Sequence, residues 1–404
     1  MKTKITKIAI AIFFFATAGA FAQTQGTFPS GVTWALLGNG ELRISGNGPK
    51  PASMAPATGN QPWFSVRDRV TSVVIEDGVT TIGNGAFSQL TMLTSATIGR
   101  GITEIPNGCF MDSGLTSITI PEGITRIDTT AFFRCRRLEI VYWNAVNVSD
   151  FSMGNYPFAE CNALRTVIFG DSVMTIPNHV FNSQTSLTTV TIGNSVTTIG
   201  RYAFRGCVNI REIVIPDSVQ VIRTNAFDGC RGITSITLGS GLSRIETQAF
   251  RGTSITELTI PEGVSTLIGG EIFANSPRLR TVYVNAVSLE DVRGGDRNFA
   301  NSPLLETIIF GDTVRRIPGF MFNSLSSLES ITIGSRVNEI GRYAFSDSTS
   351  LEVVINRAAR PQAIHFTVFD RVDKAFVTLR VPSASLNAYR GANLWKDFST
   401  IEAL

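Results

Sequence analysis

The residues able to do acid, base or metal chemistry are few and far apart. His179 and His365 are the two histidines and lie 186 residues apart, and no Cys-x-x-Cys or His-x-x-x-His spacing occurs. Ser, Asp and Glu are plentiful, but they recur at the same places in repeated segments, as expected of a solvated edge rather than of one catalytic cluster. Gly269-Gly270 and Gly294-Gly295 are followed by no phosphate-binding motif, and Arg293-Gly294-Gly295-Asp296 carries one glycine too many for an integrin-binding tripeptide. No catalytic, cofactor-binding or metal-binding residue is therefore expected, and an enzyme is the least favoured reading. The five cysteines carry the remaining chemistry. Cys135, Cys161, Cys207 and Cys230 each lie three residues after a phenylalanine, where Ser113, Thr253, Ser276 and Ser348 stand in other segments. That slot suits a small interior residue, so buried free thiols are expected. Bridges joining Cys135 to Cys161 and Cys207 to Cys230 remain the alternative, and the odd count leaves at least one thiol free.

The compartment follows from the N-terminus. Lys2, Lys4 and Lys7 precede an apolar stretch from Ile8 to Ala18, and Ala20, Phe21 and Ala22 form an A-x-A cleavage site, so residues 1–22 read as a secretory signal. The apolar stretch is too short for a retained span. Of 35 Lys and Arg, three lie in that signal, leaving 32 bases against 32 acids. Such a balanced chain has no bulk field to draw it to nucleic acid or anionic lipid. An apolar fraction of 43% supports a core. The product is expected to be exported and extracellular, associated with the cell surface, or periplasmic, with no integral membrane span.

Phenylalanine sets the architecture. Phe87, Phe110, Phe132, Phe158, Phe181, Phe204, Phe227, Phe250, Phe273, Phe299, Phe322, Phe345 and Phe369 are separated by 22 to 26 residues, and mostly by 23. A fixed period of this length signals a solenoid. Each repeat carries an L-x-x-I-x-I stretch, such as Leu115 to Ile120, that alternates like a half-buried strand and is stopped by Pro or Gly. One such strand cannot hide its apolar face alone. Thirteen stacked copies predict a parallel sheet roughly 60 Å long at about 4.8 Å per strand, with the phenylalanines forming an interior spine. The two 26-residue intervals lie 141 residues apart, and VYWNAV at Val141, IFGD at Ile168 and GRYAF at Gly200 return as VYVNAV, IFGD and GRYAF at that offset. The array reads as a duplicated block of about six repeats.

The expected organisation is a signal at 1–22, an N-terminal cap at 23–69, the array at 70–381 and a C-terminal cap at 382–404. In the front cap Gly38-Asn39-Gly40 joins two hairpin strands and Trp63 follows a Pro/Gly-rich stretch. In the rear cap Ser383 to Tyr389 is helical in pattern and precedes Trp395 and Phe398.

These motifs resemble the BspA-like branch of bacterial leucine-rich repeat proteins, whose repeats read roughly I-P/G-x-x-V-x-x-I-G-x-x-A-F-x-x-C-x-x-L-x-x-I-x. The likeness covers nearly the whole chain after the signal, including Trp34 to Gly46 and Val381 to Phe398 as caps. It implies a leucine-rich repeat solenoid of the α/β horseshoe class, rich in β structure. A parallel sheet lines the concave face, short turns, 3-10 segments and loops form the convex side, and both ends are capped. It also implies adhesion to matrix proteins and other cells. Members often carry a C-terminal sorting or anchoring domain; none precedes Leu404, so attachment through one is not expected.

In L-x-x-I-x-I the third and fifth residues face the open concave side. Most are Ser or Thr, as at Ser95 and Thr97, Ser117 and Thr119, or Ser235 and Thr237, and such residues also simply favour strands. Ile140, Tyr142 and Ile168 interrupt this hydroxyl surface, and Tyr283 and Ile309 do so one block later. Exposed Tyr beside aliphatics offers contact area and a hydroxyl at low entropic cost. The expectation is two equivalent sites, each an aromatic patch beside an extra loop, Asn144 to Pro157 or Asn285 to Asn298. They would bind extracellular or cell-surface proteins or glycans without a cofactor. A different class of reading is a structural spacer or scaffold in an envelope assembly, with inert faces and docking ends.

Overall fold

A computed structural model describes residues 24–46, 61–154, 156–293 and 295–404. The signal and the Pro/Gly-rich stretch of the front cap fall largely outside the described residues. The chain is a leucine-rich repeat solenoid of about 14 turns with little helix. Each turn has three sides, and hydrogen bonds to the next turn run along all of them. The L-x-x-I-x-I stretches form the concave strands, from Glu41–Ser45 and Ser72–Ile75 to Thr378–Val381 and Thr400–Ala403. The V-x-x-I segments, expected as turns, form a second row of two- and three-residue parallel strands. Thr175–Ile176, Thr198–Ile199, Val221–Ile222, Arg244–Glu246 and Thr266–Ile268 pair in sequence there. On the third side most anchor N–H groups donate to the carbonyl before the next anchor, as from Phe87 to Cys109 at 2.8 Å and Phe227 to Ala249 at 2.8 Å. Backbone groups are thereby paired from turn to turn over most of the coil.

The interior is the expected spine. All thirteen anchors are buried. Successive rings stack face to face, from 5.0 Å between Phe132 and Phe158 to 6.4 Å between Phe322 and Phe345. Trp63 extends the stack at the front, 5.7 Å from Phe87. Trp395 and Phe398 meet Phe369 edge-on at the rear. Each ring buries enough apolar surface to contribute on the order of 2–3 kcal/mol. The front hairpin pairs Thr33–Leu36 with Glu41–Ser45 antiparallel, and the rear helix spans Leu386–Gly391.

The concave sheet is not continuous, and each of its three breaks precedes a strand followed by proline, although the strand Thr378–Val381, followed by Pro382, keeps its pairing. Pairing is missing between strands Ser95–Thr97 and Ser117–Ile120, between Thr189–Thr191 and Glu212–Val214, and between Ser235–Thr237 and Glu257–Ile260. In each case the later strand is followed by proline, namely Pro121, Pro216 and Pro261. At well-paired junctions the residue in that place donates its N–H to the last strand residue of the preceding turn. Asn144 donates to Ile120 at 2.9 Å and Gly170 to Trp143 at 2.8 Å. Proline has no N–H to give. Glycine occupies the same place in other turns because the backbones approach closely there; a Cβ on Gly193 would collide with the Gly170 carbonyl oxygen.

Candidate binding surface

The structure first settles where the reactive side chains lie. All five cysteines are free and buried. The thiols of Cys135, Cys161, Cys207 and Cys230 donate to the anchor carbonyl of the preceding turn, at Phe110 (3.0 Å), Phe132 (3.1 Å), Phe181 (3.3 Å) and Phe204 (3.0 Å). The bridged alternative is thus not the one adopted. Burial pushes the Cys207 thiol well up and the Cys230 thiol to about 12, so neither is a nucleophile at neutral pH. His179 lies between the rings of Tyr156 (6.2 Å) and Tyr202 (4.7 Å), and burial lowers its pKa. His365 Nδ1 sits 2.8 Å from Thr367 Oγ1. Among the described residues no group of three or more His, Cys, Asp or Glu could hold a metal ion.

The concave strands carry the aromatic patches. In Ile140–Trp143, Val141 and Trp143 turn inward while Ile140 and Tyr142 face out, because side chains alternate along a strand. Tyr142 is 40% exposed. Its register partners are Thr119 on one side and Ile168 on the other, so Tyr142 and Ile168 stand side by side. Ile140 pairs with Ser117 and Thr166 in the adjoining row. One block later Tyr283 pairs with Thr259 and Ile309, and Thr281 replaces Ile140. The second patch is therefore the more polar of the two. Beneath the first, Trp143 packs on Phe169 and Phe181 and donates its indole N–H to the Ala145 carbonyl at 3.2 Å. Beneath the second the equivalent residue is the smaller Val284. Tyr142 and Tyr283 are six turns apart, roughly 29 Å at about 4.8 Å per turn.

Each extra loop lies on a different side from its patch. Ser149 N–H donates to Thr125 at 3.0 Å and Met174 N–H to Val146 at 3.2 Å, while Glu290 N–H donates to Ser265 at 3.1 Å and Arg315 N–H to Val287 at 2.8 Å. The loops take the place of a short V-x-x-I strand in the second row. Val148, Phe151, Leu289 and Val292 bury into the core, and Asp150 and Asp291 accept the N–H groups of Asn178 and Gly319.

Two hollows went unseen in the sequence. One of about 880 Å³ lies where pairing fails before Pro216, lined by Thr189, Thr191, Arg211, Glu212, Val214 and Thr237, among others. Val214, 51% exposed, stands in the same row as the two tyrosines and between them. A second, of about 820 Å³, lies at the Pro121 break and reaches from Thr97 to Asn144, beside the Tyr142 strand. The prolines and the Glu-Ile-Val strand were the available signals. These strands place Thr97, Thr119, Thr191 and Thr237 outward, and among the described residues their hydroxyls have no hydrogen-bond partner.

A family of proteins with BspA type leucine-rich repeat regions matches residues 60–185, 151–280 and 292–374, as six copies. Among solved structures, the chain is similar to a leucine-rich repeat protein from Bacteroides ovatus (19% identity, covering 97% of this chain and 100% of that one, TM-score 0.49). It is also similar to a leucine-rich repeat protein from Eubacterium ventriosum (18%, 90% and 95%, 0.36). A third likeness is to a leucine rich cell surface protein from Faecalibacterium prausnitzii (18%, 95% and 96%, 0.33). No curated protein matches.

Proposed function

The chain belongs to the BspA-type leucine-rich repeat family, and on that premise we propose that it is an exported or surface-associated protein that binds other proteins or glycans noncovalently. The observation that carries the reading is the pairing of Tyr142 with Ile168 and of Tyr283 with Ile309 on the open face of the solenoid. Aromatic and aliphatic side chains held on rigid strands lose little entropy on binding. Two patches roughly 29 Å apart on one rigid array also let a repetitive partner engage both, raising avidity without new contacts. Hydroxyl-bearing strands around each patch supply a polar rim. Among the described residues no helix is long and apolar enough to cross a membrane.

The test is saturable binding of the purified protein to a panel of extracellular matrix proteins and mucin-type glycans. A variant with Tyr142, Ile168, Tyr283 and Ile309 all replaced by Ser is run in parallel. Loss of two aromatic anchors at about 2 kcal/mol each predicts a fall in affinity of about a thousandfold. Undiminished binding by the variant refutes the reading.

One observation supports the scaffold reading. Phe366 and Phe376 near the rear end are 66% and 82% exposed, the first with its ring tilted against His365 at 4.3 Å. A partner whose binding responds to Phe376→Ser and ignores the four-site variant assigns the function to that end.

A further inference from the structure

The margin of the concave sheet carries a charge pattern that the duplication has inverted. The residue just before the outward-facing pair of each strand is Glu139, Arg165, Thr188 and Arg211 in the first block. At an offset of 141 residues it is Arg280, Glu306, Glu329 and Glu352. Three of the four positions reverse sign, and the fourth changes from neutral to acidic. Backbone bonds place them on adjacent rungs. Arg165 N–H donates to Glu139 (3.0 Å), Thr188 to Arg165 (2.9 Å), Glu306 to Arg280 (3.0 Å), Glu329 to Glu306 (2.9 Å) and Glu352 to Glu329 (2.9 Å). All are exposed except Glu306, which is partly covered by its ion pair with Arg280 at 2.7 Å. Among the described residues the ion pairs include none to Glu329, Glu352, Arg165 or Arg211. Three carboxylates on successive rungs repel one another, and one intramolecular arginine answers one of them. The repeated need of a strand cannot explain that column, because the same slot elsewhere holds threonine, as at Thr94, Thr116, Thr234 and Thr256.

We propose that this margin is the interface between two copies of the chain, related by a two-fold axis at the rung of Thr256. Arg211 lies two rungs before Thr256 and Glu306 two rungs after. Thr188 and Glu329 lie three rungs away on either side, and Arg165 and Glu352 four. An antiparallel mate therefore sets Arg211 against Glu306 and Arg165 against Glu352, and the symmetry repeats both pairs. Glu329 faces Thr188, Arg280 faces Thr234, and Glu139 faces the uncharged rung of Val377, so no like charges oppose. The two-fold arrangement closes, and it answers Arg165, Arg211 and Glu352 while leaving Glu329 opposite a neutral threonine. The tyrosine patches lie on rows inside this margin, so the pairing is separable from partner binding.

Sedimentation equilibrium of the purified protein tests it. The expected mass is two chains at low ionic strength, falling toward one at about 1 M salt, where the screening length is about 3 Å. Arg165→Glu with Arg211→Glu, or Glu306→Arg with Glu352→Arg, each raises the dissociation constant by at least about tenfold, since like charges then face each other. Circular dichroism shows that each variant is folded. Mixing the two variants restores a pair, and so does combining all four changes in one chain. A single-chain mass at every concentration, a pair indifferent to both reversals, or an assembly that grows past two chains overturns the proposal. The tyrosine and isoleucine four-site variant leaves the mass unchanged, which separates this outcome from failure of the concave-face reading.

Discussion

Removing one ring from the middle of the spine tests the source of stability most simply. Phe227 is fully buried between Phe204 and Phe250, each at 5.3 Å. Its turn is held by N–H bonds from Phe227 to Ala249 and from Gly229 to Arg251, both 2.8 Å, so the walls have little freedom to close on a void. Phe227→Ala leaves a cavity of about 100 Å³ at about 24 cal/mol per Å³, or about 2.4 kcal/mol. Adding about 2 kcal/mol of lost transfer energy gives a destabilisation of about 4 kcal/mol. Because each turn contacts its neighbours alone, the loss weakens coupling between the two halves. Urea unfolding followed by circular dichroism should then show two transitions where the parent shows one. Phe376→Ala, at an 82% exposed side chain, serves as the control and should change stability by no more than about 0.5 kcal/mol. A loss below about 1 kcal/mol at Phe227, or equal losses at both sites, refutes the spine as the stabilising element.

Three further outcomes are expected. The buried Cys230 thiol, held up to about 12, keeps its proton while the unfolded thiol loses it near 8.5; stability is intact below that value and falls as pH rises, by about 1.4 kcal/mol per pH unit for this group. Cys230→Ala should flatten the alkaline limb of unfolding midpoints measured against pH. Burial lowers the pKa of His179, so the unfolded ring takes its proton first and stability declines as pH drops below about 6.5. His179→Phe, which copies the equivalent Phe320, should remove that decline, and unchanged acid sensitivity would contradict the assignment. Pro216→Val supplies an N–H opposite the Ile192 carbonyl, and hydrogen exchange should find the new amide protected; rapid exchange would show that proline is not what opens the sheet.

Much of this fold was legible because its rules are local and repeated. The spacing of the phenylalanines gave the spine, and the alternation in L-x-x-I-x-I gave the concave strands and the outward placement of Tyr142 and Tyr283. The V-x-x-I strands were not legible, since a two-residue strand is too short to show alternation and forms because the neighbouring turn offers matching backbone groups. The position of the loops at 144–157 and 285–298 was hidden for a similar reason. Their direction is set by Val148, Phe151, Leu289 and Val292 burying under the second row, a tertiary outcome. Val214 was overlooked because its exposure depends on the pairing gap before Pro216. The family and fold thus follow from repeated local signals, whereas a binding surface depends on where those repeats are interrupted.

The central claim, binding through the two tyrosine patches, is tested most directly by hydrogen exchange of the protein with and without a partner found in the panel. Slowed exchange in strands Ile140–Trp143, Thr166–Phe169, Thr281–Val284 and Thr307–Phe310 is the predicted result. Protection confined to the rear end around Phe366 and Phe376, with these four strands unchanged, would contradict it.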